Sequence, residues 1–560
     1  MKHTKLVIAM AATLSATASF SALAMDLYVD SKTKQVFTEP GKGRVLLTDS
    51  ANVKSGHTPF VPTPYVAPVA ASDIDTIKKD LELKTNAIAA LEEHAKEESD
   101  PKHAHVKLDD GIHFATKDGN FTAGINGRLQ VDSQVNANQS ISSPLANGGA
   151  NFGSYASATG VPITLSDGMA LRRARLGVEG TFFKNTIYKF EYDFTRAGTG
   201  NSTSSGVTDA YIGYNLSKES VIKIGAFKEP FSLEEATSNR YLTFIQRNMA
   251  VDTFVDNLNT YKLGIGGAYA TDRWMAATSL QTEAVGVSKS TNSAVGGDTS
   301  NRNGGTGDTS WEVNGRVAGT PWNESKTKFL HVGAGGSYMQ LNNNYKADGS
   351  YNNGSIAFAN GIGNNVDRTS ILNTGTLTSG SKNTVGAHVA DHMTRFGAES
   401  AVVYGPFSAQ TEYLRTDVSG RGYNDEALDG YYGYMTYFLT GESRNYKAKT
   451  ASWDRIKPNR NFDMKGGLGA WEIATGYDYL NLNSGIIQGG RASTAKVGLN
   501  WYPNSHTRFM LNYIKALDIN TAGAMSSSST SGKSVYTASA VSGYNNADFD
   551  IIETRVQLDW

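Results

Sequence analysis

The sequence predicts an all-β fold: a transmembrane antiparallel β-barrel of about 16 strands, preceded by a periplasmic helical, coiled-coil-like segment. Three observations lead there. The N-terminus reads as an export leader. Most of the chain is a succession of short segments, apolar on one side and charged on the other. The links between those segments alternate between tight and long.

The leader comes first. Lys2 and Lys5 precede an Ala-rich apolar stretch, Leu6 to Leu23, which ends in Ala22-Leu23-Ala24. A basic start, a short apolar centre and an A-x-A site predict a signal peptide over 1–24. A membrane anchor is the competing reading, disfavoured by its Ser/Thr interruptions and the polar continuation Asp26-Leu27-Tyr28. Residues 25–71 read as a polar segment with a Pro-rich linker, since 59–68 (PFVPTPYVAP) hold four prolines and favour an extended spacer. From 72 to 110 the pattern turns helical. Ile74, Ile77, Leu81, Ile88 and Leu91 fall on a and d positions, Lys84 breaks the seam, and Pro101 follows the end of a helix over 72–99. Ile-rich a positions permit a trimeric coiled coil; a lone amphipathic helix is the alternative.

The barrel is assigned to 111–560. In the last segment Leu558, Val556, Thr554 and Ile552 lie on one face, and Asp559, Gln557, Arg555 and Glu553 on the other. A strand dry on one side and charged on the other suits lipid outside and water inside. Tyr188, Phe190, Tyr192 and Phe194 alternate with Lys189, Glu191, Asp193 and Thr195 in the same way, and Ile125, Gly127, Leu129 and Val131 with Asn126, Arg128, Gln130 and Asp132. Such segments recur near 120–134, 168–182, 185–196, 207–217, 220–229, 260–271, 273–287, 309–320, 326–341, 391–404, 406–418, 429–441, 467–482, 490–502, 505–519 and 547–560. Tight links such as Phe183-Lys184-Asn185, Gly405-Pro406 and Pro503-Asn504 alternate with Gly/Ser/Asn/Thr-rich links at 135–167, 288–308, 342–390 and 520–546, which read as polar external loops. The terminal Trp560 resembles the aromatic signal by which such barrels reach the outer-membrane barrel assembly machinery.

Composition excludes other classes. With Cys 0, no disulfide or thiolate chemistry is available, and a net charge of −1 argues against a nucleic-acid binder. A mean hydropathy of −0.36 suggests a soluble protein, but a barrel averages its lipid and lumen faces to polar, so the value does not discriminate.

Several stretches resemble the phosphate-selective porin O and P family: Gly127-Arg128-Leu129-Gln130, Leu171-Arg172-Arg173-Ala174, Ile224 to Glu234, Phe407 to Arg415, Leu439-Thr440-Gly441-Glu442, Ile456-Lys457-Pro458, Gly469-Ala470-Trp471-Glu472 and Gly498 to Tyr502. The resemblance implies a sixteen-stranded outer-membrane barrel, a homotrimer, and loops folded inward to narrow each pore. The residues support a narrowed pore independently. The link from Glu229 to Asn259 holds Phe231, Leu233, Tyr241, Leu242, Phe244, Ile245, Met249 and Phe254, and tucking it against the wall would bury them.

The family's phosphate-selective members line the lumen with arginines and place lysines in the inward loop. Arg128, Arg172 and Arg173 match ladder positions, and Asp209 matches an acidic partner. Alternation points Arg128, Arg173 and Arg175 inward, with Arg172 on the opposite phase unless a bulge re-aims it. Arg240 keeps the charge of a family lysine, whereas Glu235 reverses another and is expected to oppose anions in the narrow zone. Residues 342–383 supply only Lys346, Arg368 and Lys382. These departures predict a general or differently tuned porin for small hydrophilic solutes. An outer-membrane lipase or protease barrel needs a Ser/His/acid arrangement, and the histidines are scattered (His94, His103, His105, His331, His388, His392, His506) with no G-x-S-x-G, H-E-x-x-H or Walker A pattern. A surface adhesin is the third reading. No cofactor or metal is expected, and His103-Ala104-His105 reads as linker.

Overall fold

The computed structural model describes residues 28–30, 36–37, 44–46, 71–99, 104–107, 111–141, 164–195, 206–256, 261–284, 310–341, 356–379, 384–530, 533–538 and 540–560. The signal peptide and the proline-rich spacer lie outside the described residues. Two compact units separate at Glu92/Glu93. In the first, Tyr28–Asp30 pairs antiparallel with both Val36–Phe37 and Arg44–Leu46. Helix α1 (Ala71–Ser99) occupies the span that the heptad pattern predicts, and its seam residues Leu81, Ile88 and Leu91 are exposed on the single chain.

The second unit is a closed antiparallel barrel. Its sixteen wall strands are β1 Phe121–Ser140, β2 Gly168–Phe182, β3 Thr186–Asp193, β4 Val207–Asn215, β5 Ser220–Lys228, β6 Tyr261–Ala270, β7 Trp274–Ala284 and β8 Trp311–Ser325, followed by β9 Lys328–Gln340, β10 His388–Tyr404, β11 Phe407–Arg421, β12 Glu426–Phe438, β13 Ala470–Ser484, β14 Ile487–Asn504, β15 Thr507–Asn520 and β16 Asp548–Asp559. Each coincides with one predicted segment to within a few residues at either end, β1 running furthest beyond. Neighbours in sequence pair with each other, and β16 closes on β1 with Asp559 opposite Arg128 and Val556 opposite Val131. At the seam the backbone of Trp560 exchanges hydrogen bonds with Gly127, whose missing Cβ leaves room for the indole; a Cβ there would lie 2.2 Å from the ring. The part of β1 that overhangs β16 pairs with a hairpin, Ala104–Lys107 with Ile112–Thr116, which straddles the boundary expected at 110/111.

Burial along the strands is inverted relative to a water-soluble protein. In β16 Glu553, Arg555, Gln557 and Asp559 are buried while Ile552, Val556 and Leu558 are exposed, as the sequence phase requires. The same holds for buried Glu191 and Asp193 against exposed Phe190 and Phe194. Apolar side chains outward and charged ones inward fit a wall that faces lipid, where every backbone group must be paired within the barrel. None of the described helices is long and apolar enough to cross a membrane; the strands make the wall.

Candidate functional site: a constricted, charged lumen

Among the described residues, links fold into the barrel from both ends. The first joins β5 to β6 and contains two short helices, α2 (Leu233–Ala236) and α3 (Met249–Phe254). Phe231, Leu233, Leu242, Phe244, Met249 and Phe254 are buried, as the aromatic content of this link predicts. Backbone groups taken from water need partners, and the wall supplies them. Arg508 on β15 donates to the Leu242 carbonyl (2.6 Å), and Asn500 on β14 donates to that of Thr243 (3.1 Å). The Met249 amide donates to Asp478 on β13 (2.7 Å), and Arg395 on β10 donates to the Phe254 carbonyl (2.8 Å).

The second link joins β9 to β10. The sequence marks 342–390 as a polar external loop, yet Ile356, Phe358, Ile371, Leu372 and Leu377 join the same buried cluster as Phe244 and Met249. Arg368 pairs with Asp252 (2.8 Å), and the Asn365 amide donates to Glu553 on β16 (2.6 Å). The third link, 439–469, lies at the short-turn end, which is periplasmic in outer-membrane barrels. Arg316 on β8 donates to the Ala451 carbonyl (2.7 Å), His331 on β9 shares a hydrogen bond with the Tyr446 hydroxyl (2.8 Å), and the Trp453 amide donates to Thr237 of the first link (3.2 Å). Sequence reasoning did not place this link in the lumen. Its content of Tyr446, Trp453 and Ile456 is the signal that could have done so, by the logic that worked for the first link.

Charges line what remains. Glu191 collects Arg128 (2.8 Å), Arg175 (2.9 Å) and, more loosely, Arg240 (3.6 Å). Arg175 also binds Asp193 at 2.7 Å. Arg128, Arg175 and Arg240 therefore meet around one carboxylate. Arg172 and Arg173 lie nearer the long-loop end. The register between β1 and β2 slips there, with Gln130 opposite Arg173 and Val131 opposite Leu171. Arg172 is the extra residue of this bulge, and its side chain turns inward to donate to Asn365 (2.8 Å), while Arg173 donates to Gln130 (3.0 Å). Asp209 stands apart from these arginines, 3.6 Å from Lys189. Glu235 lies in the first inward link and is fully buried between Lys228 (2.8 Å) and Arg247 (3.1 Å), so its charge is matched by two cations.

Further charges line the lumen, and of these only Arg555 and Asp132 stand among the charged-face residues read from the sequence. Lys262, Glu229, Glu312 and Arg395 form a buried quartet, with Lys262 3.0 Å from Glu229 and Arg395 2.7 Å from the same carboxylate; Glu312 contacts both cations. Arg316 pairs with Glu399 (2.6 Å), Lys496 with Asp478 (2.9 Å) and Arg555 with Asp132 (2.6 Å). Their inward phase was legible, but their partners sit on distant strands.

The profile of the phosphate-selective porin O and P family matches residues 155–559. The chain belongs to that family. The porin is 28% identical to Porin O of Pseudomonas aeruginosa over 429 residues, which cover 73% of this chain and 86% of that protein. It is 25% identical over 403 residues to an uncharacterized protein of Caulobacter vibrioides, covering 71% of this chain and 69% of the other. A similar solved structure is OmpT of Vibrio cholerae, at 12% identity and a TM-score of 0.42 over 79% of this chain and 98% of that one. The protein is an outer-membrane porin, and its lumen is the channel.

Proposed function

We propose that this porin passes small hydrophilic solutes with a preference for anions, and that Arg172 and Arg173 set the preference. The observation that supports the reading is that neither forms a salt bridge among the described residues. Among the described residues both guanidiniums donate only to side-chain amides, of Asn365 and Gln130, whereas Arg128, Arg175, Arg316, Arg395 and Arg555 each hold a carboxylate. A cation not locked in a salt bridge, in a narrow, low-dielectric passage, replaces part of an anion's lost hydration. Glu235 does not oppose this, because Lys228 and Arg247 neutralise it where it lies. A channel of this family is favoured over the barrel-enzyme and adhesin readings. We further propose a homotrimer in outer-membrane lipid, with the exposed stripe of α1 as a coiled-coil clamp, delivered by the outer-membrane barrel assembly machinery.

The test is the reversal potential of single channels in a KCl gradient. Arg172→Gln/Arg173→Gln should insert and conduct, with the potential moved from the chloride side toward zero. An unchanged potential would remove these two residues from selectivity.

A further inference from the structure

We infer that residues 456–469 form a strap over the periplasmic rim of the barrel and seat an anionic phospholipid of the adjoining leaflet against the outside of the wall. The earlier half of the same link lies in the lumen, and Ile456 is still buried, with Phe438, Ala470 and Tyr502. The chain then crosses the rim, where the Asn459 amide donates to Glu442 (2.9 Å). Beyond it, Phe462 packs edge-on against Trp501, with ring centroids 5.3 Å apart, and its amide donates to the Pro503 carbonyl (2.7 Å). Trp501 faces outward, because its neighbours Asn500 and Tyr502 are buried in the lumen and share Glu472 as acceptor (3.0 and 2.8 Å). It stacks on Trp471 of β13 (5.5 Å) and Phe509 of β15 (5.3 Å), its partners across the strands.

The strap is a built turn. The Asp463 carboxylate accepts from the amides of Lys465 and Gly467 (both 2.8 Å) and from the Arg460 guanidinium (2.6 Å). Gly469, at φ 68°, lets the chain close on the wall, since a Cβ there would lie 2.4 Å from the Tyr502 carbonyl oxygen. Interfacial tryptophans ordinarily present their N–H to water or head groups. Here the Leu468 carbonyl takes both, from Trp471 (3.2 Å) and Trp501 (2.9 Å), and the strap puts its own side chains where the indoles would have faced the membrane. Leu468 is 62% exposed and Met464 88%, the latter in the left-handed region (φ 56°) that a side chain disfavours. A water-facing turn gains nothing from holding two apolar side chains out in this way. Continuity with the lipid-facing wall gives them acyl chains to meet. Exposed Lys457, Arg460 and Lys465 stand against one carboxylate, Asp463, over residues 457–469. An apolar tip flanked by surplus cations is the pattern that lies in a membrane interface and favours anionic head groups.

The chain contains no cysteine, so Met464→Cys carries a single NBD fluorophore, or a benzophenone, at the tip of the strap. The full-length porin is reconstituted in vesicles of phosphatidylcholine and phosphatidylglycerol, with bromine on the acyl chains of one lipid at a time. NBD emission should shift to the blue on reconstitution, and brominated phosphatidylglycerol should quench it more than brominated phosphatidylcholine at equal content. Lys465→Gln should lower the relative binding constant for phosphatidylglycerol about fivefold, the factor for roughly 1 kcal/mol per cation at a membrane surface. Lys465→Arg should retain it, and the benzophenone should attach to lipid. If Met464→Cys fails to insert, Leu468→Cys reports on the same face. The proposal is overturned if the emission stays that of a fluorophore in water, if the two lipids quench alike, or if Lys465→Gln leaves the preference intact. It is also overturned if the benzophenone joins two protomers, which would make a second copy of the chain the occupant.

Discussion

Replacing Glu235 with Gln removes a buried carboxylate while keeping its shape. The two cations it serves lose different amounts. The Lys228 side chain is 21% exposed and can regain water, whereas that of Arg247 is 3% exposed. Arg247 keeps the carbonyls of Glu234 and Thr237 and a distant carboxylate, Asp256, at 3.8 Å. Breaking a buried pair by removing one partner costs about 3–5 kcal/mol. Because one cation rehydrates and the other retains carbonyl acceptors, the lower end, about 3 kcal/mol, is expected here. That raises the population in which the first inward link is detached by roughly a hundredfold, at 1.4 kcal/mol per decade. Single-channel recordings of Glu235→Gln should flicker to larger conductance, with greater anion preference as two cations are uncovered, and urea unfolding in lipid should shift to lower denaturant. Glu235→Gln/Arg247→Met, which removes the orphaned charge as well, should recover most of the loss. Wild-type noise and an unmoved urea midpoint in the single variant would refute the reasoning.

Other consequences follow from the same geometry. Trp453→Ala empties a site that is 2% exposed, at a cost of about 3–5 kcal/mol; the 439–469 link should leave the lumen, and mean conductance should rise. Ile224→Arg puts a charge on the lipid face, where Ile224 is 64% exposed, and should cost about 2–4 kcal/mol near the bilayer midplane by urea titration; an unaffected midpoint would contradict the assigned phase of β5. In the 439–469 link the Gly467 amide, the Arg460 guanidinium and the Lys465 amide hold the Asp463 carboxyl down at about 2. A depressed carboxyl stabilises its turn above the unfolded value and loses that contribution as pH falls through the folded one. Amide protection at Lys465 and Gly467 should therefore survive at about pH 4 and vanish only toward the folded value of about 2; loss centred at the upper value would contradict it.

The wall was legible because period-two alternation is a local property: Glu553 to Asp559 declare their faces without reference to any other strand. The first inward link was legible for a different reason, since Phe231, Phe244, Met249 and Phe254 are too apolar for a solvated loop. What stayed hidden depends on pairing at a distance. The bulge at Arg172 exists only relative to Gln130 and Val131 on β1, so alternation alone placed that side chain on the wrong phase while naming the condition that would re-aim it. Residues 356–379 read as polar because their buried residues are diluted by Asn, Gly and Thr, and Asn360, Asn365 and Arg368 are themselves the contacts that hold the link inside. The environment of Glu235 could not be read either, because Arg247 lies twelve residues on, across irregular chain. The hairpin at 104–116 is short and follows a helix, and its alternation becomes meaningful only against the overhang of β1.

The most direct test of an anion-preferring, constricted channel is the purified full-length porin in a planar bilayer under a KCl gradient. The account predicts discrete, long-lived conductance steps, small for a sixteen-stranded barrel because inward links fill its lumen, and a reversal potential on the chloride side that falls toward zero as ionic strength screens the lining charges. Absence of steps, or a reversal potential on the potassium side, would contradict it.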